Sequence, residues 1–184
     1  MLHENLATWV KKLSYREGDF TLASGQKSTF YVDLKTTTLH PEGAHLVGEA
    51  AVALVRARGL KVQGVGGLTL GADPIATAVS LAARQAGLFW PAFIVRKEAK
   101  GHGTGRYLEG LENLPSGASL LVLEDVTTTG GSAMAAVDRI HEAGFHCAGV
   151  LTVVDREQGG AEAFAKAGVP FFRLLTLKEV QQAN

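Results

Sequence analysis

Short apolar runs alternate with amphipathic helical patterns through most of the chain. The apolar runs lie near residues 62–66, 91–95, 119–124 and 147–154. Helical patterns fill two of the gaps, at 73–86 and 132–143, and each is closed by a glycine. Strands that alternate with helices in this way predict an α/β fold, in which helices flank a central parallel sheet and the crossovers are right-handed.

The N-terminal part has a different pattern. Residues 2–13 place apolar side chains at helical spacing, which predicts an amphipathic helix. Two short strands follow, around Phe20–Leu22 and Phe30–Asp33. Pro41 is placed to open a further helix, because proline is favoured at the first helical position.

Length and composition narrow the class of protein. A chain of 184 residues is the usual size of one domain, and we expect a single domain over residues 1–184. The chain has 18 basic residues (lysine and arginine) and 18 acidic residues (aspartate and glutamate). It therefore has no net electrostatic field to attract nucleic acid or an anionic membrane. No apolar run approaches the ~20 residues of a membrane span. The single cysteine, Cys147, excludes an internal disulfide and favours a reducing cytoplasm.

The run at 119–124 ends in polar side chains that can bind a ligand. Its last residue, Glu124, is followed by a second carboxylate, Asp125, and then by the small, hydroxyl-rich turn Val126-Thr127-Thr128-Thr129-Gly130-Gly131-Ser132. Two carboxylates can accept hydrogen bonds from a pair of sugar hydroxyls, and the N–H groups of such a turn bind phosphate at a helix N-terminus. The pattern indicates a site for ribose 5-phosphate. The alternative is an ordinary strand–turn–helix, in which the acids are incidental and Ser132 caps the helix.

This turn resembles the phosphoribosyl-pyrophosphate (PRPP) signature of type I phosphoribosyltransferases, acid-acid-x-x-T-x-G-[GT]. Three further segments resemble those of orotate phosphoribosyltransferases, and they occur in the order of that family. They are Phe20–Gly25 leading to Phe30–Asp33, the loop Arg96–Gly103, and Val154–Gly160.

The resemblance implies the type I phosphoribosyltransferase fold, with a small N-terminal hood formed by about residues 1–40 and a core of about 41–175. It also implies a pentosyltransferase reaction of pyrimidine biosynthesis. A 5-phosphoribosyl group would pass from PRPP to N1 of orotate, giving orotidine 5′-monophosphate and pyrophosphate. The reaction would depend on Mg²⁺ held mainly by PRPP, and no protein ligand to the metal is assigned.

The loop after the run at 91–95 is rich in positive charge and glycine. Its basic residues are Arg96, Lys97, Lys100, His102 and Arg106. Apolar anchors are nearly absent, so we expect a mobile loop; solvated surface charge is the alternative. In the resembling family this loop closes over pyrophosphate, and part of it enters the neighbouring subunit's site. The resemblance therefore implies a homodimer, with Lys97 acting in its own subunit and Arg96, Lys100 and His102 acting across the dimer.

By this resemblance the catalytic residues are Lys97, Lys100, His102 and Asp125. The residues that bind PRPP are Arg96, Lys97, Lys100, His102 and the whole turn from Glu124 to Ser132. The residues that bind orotate are Thr128, Arg156, Phe30, Tyr31 and Lys27. Two positions depart from the pattern, because Gly71 stands where many relatives carry lysine and Ala23 stands where some of them do. Lys27 is our candidate to replace a missing cation.

Arg156 and the glycine-rich turn after the run at 62–66 each have a structural alternative. A guanidinium matches the carboxylate of orotate, but Arg156 could instead pair with Asp155 or Glu157. The turn could hold pyrophosphate with its backbone N–H groups, or it could be only a tight turn. In either case Asp73 is a plausible N-cap, with Pro74 at the first helical position.

Two other functions remain open at this stage. A purine phosphoribosyltransferase would share the turn from Glu124 to Ser132, although it would not be expected to carry the other segments. A regulator that uses a PRPP fold to bind RNA is disfavoured by the balanced charge and by the lack of an evident basic-aromatic face.

Overall fold

The computed structural model describes residues 2–21, 25, 27–98 and 107–184. The chain begins with helix α1 (Leu2–Ser14), which buries Leu6 and Val10 in the core. An antiparallel ribbon of two strands follows, β1 (Tyr15–Thr21) and β2 (Lys27–Val32). These strands are longer than the two short ones that the sequence predicts. The ribbon leads into the short helix α2 (Lys35–Thr38).

A six-stranded sheet forms the centre of the molecule. Its strands are β3 (Gly64–Leu68), β4 (Ala92–Val95), β5 (Leu108–Glu109), β6 (Ser119–Thr127), β7 (His146–Asp155) and β8 (Phe171–Thr176). Their spatial order is β5-β4-β3-β6-β7-β8, and all neighbours pair in parallel except β4 and β5, which are antiparallel. The predicted parallel sheet is therefore confirmed, with β5 and β8 added at its two edges.

Helices cover both faces of this sheet. They are α3 (Pro41–Ala57), α4 (Ala72–Gln85), α5 (Gly131–Glu142), α6 (Gly160–Lys166) and α7 (Leu177–Gln182). Leu121 and Leu123 of β6 belong to a cluster with residues of α1, α3 and α4, whereas Leu120 and Val122 belong to a second cluster with residues of α5 and α6. Because β6 is buried on both faces, its sequence is a continuous apolar run rather than an alternating one. Among the described residues, no helix is long and apolar enough to cross a membrane.

The start of α4 corrects one detail of the sequence analysis. We expected Asp73 to cap this helix, but the helix begins at Ala72 and Gly71 occupies the cap position. The Asp73 carboxylate instead accepts a hydrogen bond from the Thr69 hydroxyl, at 2.6 Å. Pro74 is consequently the third residue of the helix rather than the first.

Two glycines of β3 allow its neighbours to come close. A Cβ atom on Gly66 would overlap the carbonyl oxygen of Phe93 in β4, and one on Gly67 would overlap that of Leu123 in β6. Both obstacles are backbone atoms, which cannot rotate away as a side chain can. Packing at the centre of the sheet therefore requires glycine at these two positions, although the backbone there is ordinary extended strand.

We predict that Gly66→Ala lowers the free energy of unfolding by about 1–3 kcal/mol or more, because an added methyl group in a full core forces the backbone to shift. Urea unfolding followed by circular dichroism would measure the change. Gly131→Ala is a matched control, because no atom lies within 4 Å of the Cβ that it would add. Equal stability of the two variants would show that β3 can move away from β4 at little cost.

Candidate active site

The carboxyl ends of the parallel strands bring the predicted groups to one edge of the sheet. The turn at Gly71 follows β3, Arg96 follows β4, Asp125 lies near the end of β6 and Arg156 follows β7. These four strands are contiguous in the order β4-β3-β6-β7. Ligands of open α/β sheets bind at this edge, so the topology places the candidate groups where one ligand can reach all of them.

The turn between β6 and α5 forms a small concave cradle. It encloses a cavity of about 230 Å³ lined by Glu124, Val126, Thr127, Thr128, Thr129, Gly130, Gly131 and Ser132. Helix α5 begins at Gly131, and no side chain caps its first N–H groups. Ser132 therefore does not act as the cap that the structural alternative required. Uncapped N–H groups and hydroxyls that line a cavity are suited to hold a phosphate group.

Close packing behind the cradle fixes its shape. Gly130 has a φ of 85°, a left-handed conformation that favours glycine, and a Cβ there would contact the ring of Phe164. The Thr127 side chain is buried, and its hydroxyl has no hydrogen-bond partner among the described residues. An orphaned hydroxyl beside a cavity is a group that a bound ligand can satisfy.

The acid pair at the end of β6 consists of two different carboxyl groups. Glu124 is 8% exposed, whereas Asp125 is half-buried and accepts a hydrogen bond of 2.8 Å from the N–H of Val126. Burial, followed by the hydrogen bond and the charge of Asp125, raises the pKa of Glu124 to about 8. At neutral pH Glu124 is therefore mainly protonated in the free protein, and the pair can offer both an O–H donor and carboxylate acceptors.

Arg156 lies between the cradle and the N-terminal ribbon. Its backbone N–H donates to the Thr127 carbonyl at 2.9 Å, and its guanidinium carbon lies 5.2 Å from the centre of the Phe30 ring. The Nε atom is buried and has no hydrogen-bond partner among the described residues. Arg156 thus stands beside the phosphate cradle and under an aromatic ring.

The ion pair that we considered as an alternative for Arg156 is formed by another arginine. Arg173 of β8 lies 3.0 Å from the carboxylate of Asp155 and 3.5 Å from that of Glu157. Asp155 is fully buried and also accepts a hydrogen bond from the N–H of Glu157, at 2.8 Å. These contacts hold the turn around Arg156 while its guanidinium is directed to the ribbon.

The ribbon places its predicted residues in different surroundings. Phe30 stacks on Tyr15, with ring centres 6.0 Å apart, and also faces Arg156. Tyr31 packs against Phe20 at 5.6 Å and is 43% exposed. Lys27 donates to the Thr21 hydroxyl at 3.0 Å, at the opposite end of β2 from Val32. The structure therefore brings Phe30 to Arg156, whereas a role for Lys27 in binding orotate stays a prediction.

Only the beginning of the predicted cationic loop belongs to the described residues. Arg96 follows β4, and its guanidinium lies 3.3 Å from the carboxylate of Glu109. Lys97 is exposed at the same edge of the sheet. Lys100 and His102 lie outside the described residues, as does Ala23. The roles assigned to Lys97, Lys100 and His102 stay predictions.

Lys35 is a cation near the site that the sequence analysis did not identify. Its Nζ atom lies 2.7 Å from the Asp33 carboxylate, and it also interacts electrostatically with Asp125 and Tyr31. Nothing in the spacing of its neighbours distinguishes Lys35 from a surface lysine, because only the fold brings α2 close to the end of β6. In the described part of the chain, no group of three or more His, Cys, Asp or Glu side chains is placed to hold a metal ion.

Known proteins resemble this chain over almost its full length. It is 49% identical over 181 residues to the orotate phosphoribosyltransferase of Nostoc sp., covering 98% of this chain and 86% of the relative. It is also similar to the crystal structure of Mycobacterium tuberculosis H37Rv orotate phosphoribosyltransferase in complex with Fe(III) dicitrate, with 41% identity, a TM-score of 0.85 and coverage of 98% and 99%. The structure of that mycobacterial protein in complex with PRPP has 37% identity, a TM-score of 0.81 and coverage of 98% and 99%. No family model matches the chain.

These similarities confirm the predicted type I phosphoribosyltransferase fold. They also decide between the purine and the orotate branches, because relatives named orotate phosphoribosyltransferase are 48% and 49% identical to this chain over 98% of its length. By its sequence and by its structure, the chain belongs to the orotate phosphoribosyltransferase family.

Proposed function

We propose that this protein transfers the 5-phosphoribosyl group of PRPP to N1 of orotate. The observation that carries the proposal is the position of Arg156, with its side chain against Phe30 and its backbone on Thr127 of the phosphate cradle. A planar anion under Phe30 would meet the guanidinium of Arg156, while the 5′-phosphate of a ribose lies in the cradle. The ribose would then lie between them, beside Glu124 and Asp125.

The chemistry in this arrangement depends on position and charge. Orotate resembles an already deprotonated nucleophile, so the site needs no strong base. The bond from C1′ to pyrophosphate breaks as the bond from C1′ to N1 forms, and positive charge develops on the ribose. Glu124 and Asp125 would hold the ribose hydroxyls, and the carboxylate of Asp125 would oppose that charge. We propose that Arg96, Lys97, Lys100 and His102 close over the leaving pyrophosphate and exclude water.

Magnesium fits the residues of this site as an ion carried by the substrate. The half-buried carboxylate of Asp125 offers a hard oxygen of the kind that Mg²⁺ or its bound water prefers. Bound to PRPP, the ion would supply neutralisation of the charge on the leaving group. We further propose a homodimer that shares its loop, a hood formed by about residues 1–40, and a cytoplasmic location suited to the lone Cys147.

Orotate consumption provides the direct test of this function. The loss of orotate absorbance should require both PRPP and Mg²⁺, and a chelator should stop it. Adenine should not replace orotate in the same assay. Turnover of adenine without turnover of orotate would overturn the proposal.

We predict that Arg156→Ala raises the KM for orotate roughly ten- to hundredfold, because a charge-assisted contact contributes about 1.5–3 kcal/mol. The KM for PRPP should change far less, since Arg156 reaches the cradle only through its backbone. Steady-state kinetics with each substrate varied would separate the two effects. Arg58→Ala, at an exposed position after α3, is the control. Equal damage to both substrates would remove Arg156 from the orotate site.

Glu124 provides a prediction about pH that does not depend on turnover. Its pKa is about 8 in the folded protein against 4.5 as the ordinary value, so the folded state retains a proton that the unfolded state loses. The contribution of Glu124 to stability is therefore complete below pH 4.5 and declines as pH rises towards 8. Each unit of pKa corresponds to about 1.4 kcal/mol, so the decline should amount to several kcal/mol at most.

Urea unfolding of the wild type and of Glu124→Gln between pH 4 and pH 9 would measure this effect. Glutamine is neutral at every pH, so the variant should gain stability relative to the wild type as pH rises from 4.5 to 8. A difference that stays constant across this range would show that Glu124 is already ionised in the free protein.

The proposed sharing of the loop between subunits gives a further prediction. Lys100→Ala and Arg156→Ala homodimers should each be impaired. After the two variants are refolded together, a mixed dimer has one site with both defects and one site with neither. Random assembly makes about half of the dimers mixed, so activity should recover to about a quarter of the wild-type value. Activity that stays at the average of the two parents would show that Lys100 serves its own subunit.

A further inference from the structure

The residue that follows Arg156 has a left-handed backbone. Glu157 has a φ of 54°, and in the part of the chain that the structure describes it is the one residue other than glycine with a positive φ. A residue with a side chain is strained in this conformation, and such strain persists only where neighbouring contacts hold it. The turn that presents Arg156 therefore depends on the contacts around it.

The carboxylate of Asp155 provides two of these contacts. Its Oδ1 atom accepts a hydrogen bond from the backbone N–H of Glu157 at 2.8 Å, which closes an Asx turn across Arg156. Its Oδ2 atom lies 3.0 Å from Nη1 of Arg173, in the neighbouring strand β8. The same Nη1 atom lies 3.5 Å from the Glu157 carboxylate. One guanidinium nitrogen therefore contacts the acids on both sides of Arg156.

The two acids differ in how much they need this partner. The side chain of Asp155 is 1% exposed, whereas that of Glu157 is 50% exposed. A buried carboxylate that loses its cation is costly to the folded protein, so Asp155 would attract another cation if Arg173 were absent. Arg156 follows Asp155 directly in the chain, and its guanidinium is placed to turn towards either acid.

In the structure, the Arg156 side chain is directed elsewhere. Its Nε atom is buried and has no hydrogen-bond partner among the described residues, and its guanidinium carbon lies 5.2 Å from the centre of the Phe30 ring. A buried donor without a partner is costly, and a ligand that carries a carboxylate can satisfy it. Arg173 thus occupies the two acids that would otherwise compete with a ligand for Arg156.

We propose that Arg173 is a positioning residue for the binding of orotate. By pairing with Asp155 and Glu157, it keeps these acids from Arg156 and leaves the Arg156 guanidinium available to the carboxylate of orotate. This inference rests on the proposed function and deepens it, because Arg173 acts on the substrate only through Arg156.

Arg173→Met tests this role, because methionine keeps a long apolar side chain and removes the charge. The KM for orotate should rise about tenfold, as expected for the loss of one charge-assisted contact, while the KM for PRPP stays within about twofold. Arg173→Lys should recover most of the orotate affinity, since an ammonium group can replace the one nitrogen that contacts both acids. Arg84→Met, at an exposed arginine near the end of α4, is the matched control.

Removal of the competing acids should reverse the defect. When Arg173→Met is combined with Asp155→Asn and Glu157→Gln, no carboxylate beside Arg156 competes for it, so the KM for orotate should return close to the wild-type value. The asparagine keeps an oxygen that can accept the N–H of residue 157, which preserves the turn. This recovery would not occur if Arg173 itself contacted orotate.

A double-mutant cycle asks whether Arg173 acts through Arg156. Arg156→Ala combined with Arg173→Met should have the same KM for orotate as Arg156→Ala alone, because the group to be positioned is already absent. A further rise in KM would show that Arg173 acts independently of Arg156.

Thermal unfolding would check that each variant is folded, because Arg173→Met leaves a buried carboxylate unpaired. If that variant does not fold, Asp155→Asn combined with Arg173→Met removes the buried charge and leaves Glu157 to compete for Arg156. The KM for orotate of this double variant should still rise, and the addition of Glu157→Gln should abolish the rise.

The outcomes distinguish this inference from the proposed function. If the wild type uses PRPP and orotate but loss of the Arg173 charge changes both KM values equally or changes neither, the inference is wrong and the proposed function stands. The inference is also wrong if removal of the two acids leaves the defect in place, or if the cycle is additive. If the wild type neither binds PRPP nor consumes orotate, the proposed function fails and the inference fails with it.

Discussion

The burial of β6 on both of its faces is the constraint on which the candidate site depends. Apolar side chains fix this strand between two clusters, and its parallel pairing with β3 and β7 fixes its register. A strand held in this way can carry two carboxyl groups at its end without losing its position. The cradle and the turn that carries Arg156 follow the neighbouring ends of β6 and β7. The hydrogen bond from the Arg156 backbone N–H to the Thr127 carbonyl joins them.

Charge is distributed unevenly around this edge. The β6 end contributes acids, one of which is protonated in the free protein, whereas the cations arrive from separate elements at its margins. Arg156 comes from the turn after β7, Lys35 from α2 and Arg96 from the end of β4. Because each cation belongs to a different segment, their arrangement around a ligand depends on the tertiary structure more than on any single motif.

The sequence predicted the parts of the fold that depend on local patterns. The four inner strands were found because their apolar runs are continuous, and Arg156 was identified because it follows such a run directly. Strand β8 was missed because Arg173 interrupts its apolar pattern. Strand β5 was missed because it has only two residues, too few to show an alternation of apolar and polar side chains. The N-cap at Asp73 was wrong because the Thr69 hydroxyl engages that carboxylate, an interaction that spacing alone does not reveal. Lys35 could not be predicted, since its electrostatic interaction with Asp125 joins segments that are 90 residues apart in the chain.

The two glycines of β3 limit how this protein can change over evolutionary time. A side chain at Gly66 or Gly67 would meet main-chain carbonyl oxygens, which are present whatever residues the neighbouring strands carry. No compensating substitution at Phe93 or Leu123 can make room for it. Substitutions at these two positions in the middle of the sheet are therefore not tolerated, whereas the turns at the strand ends can gain or lose charged residues. The scaffold can keep its geometry while the source of each cation moves from one segment to another.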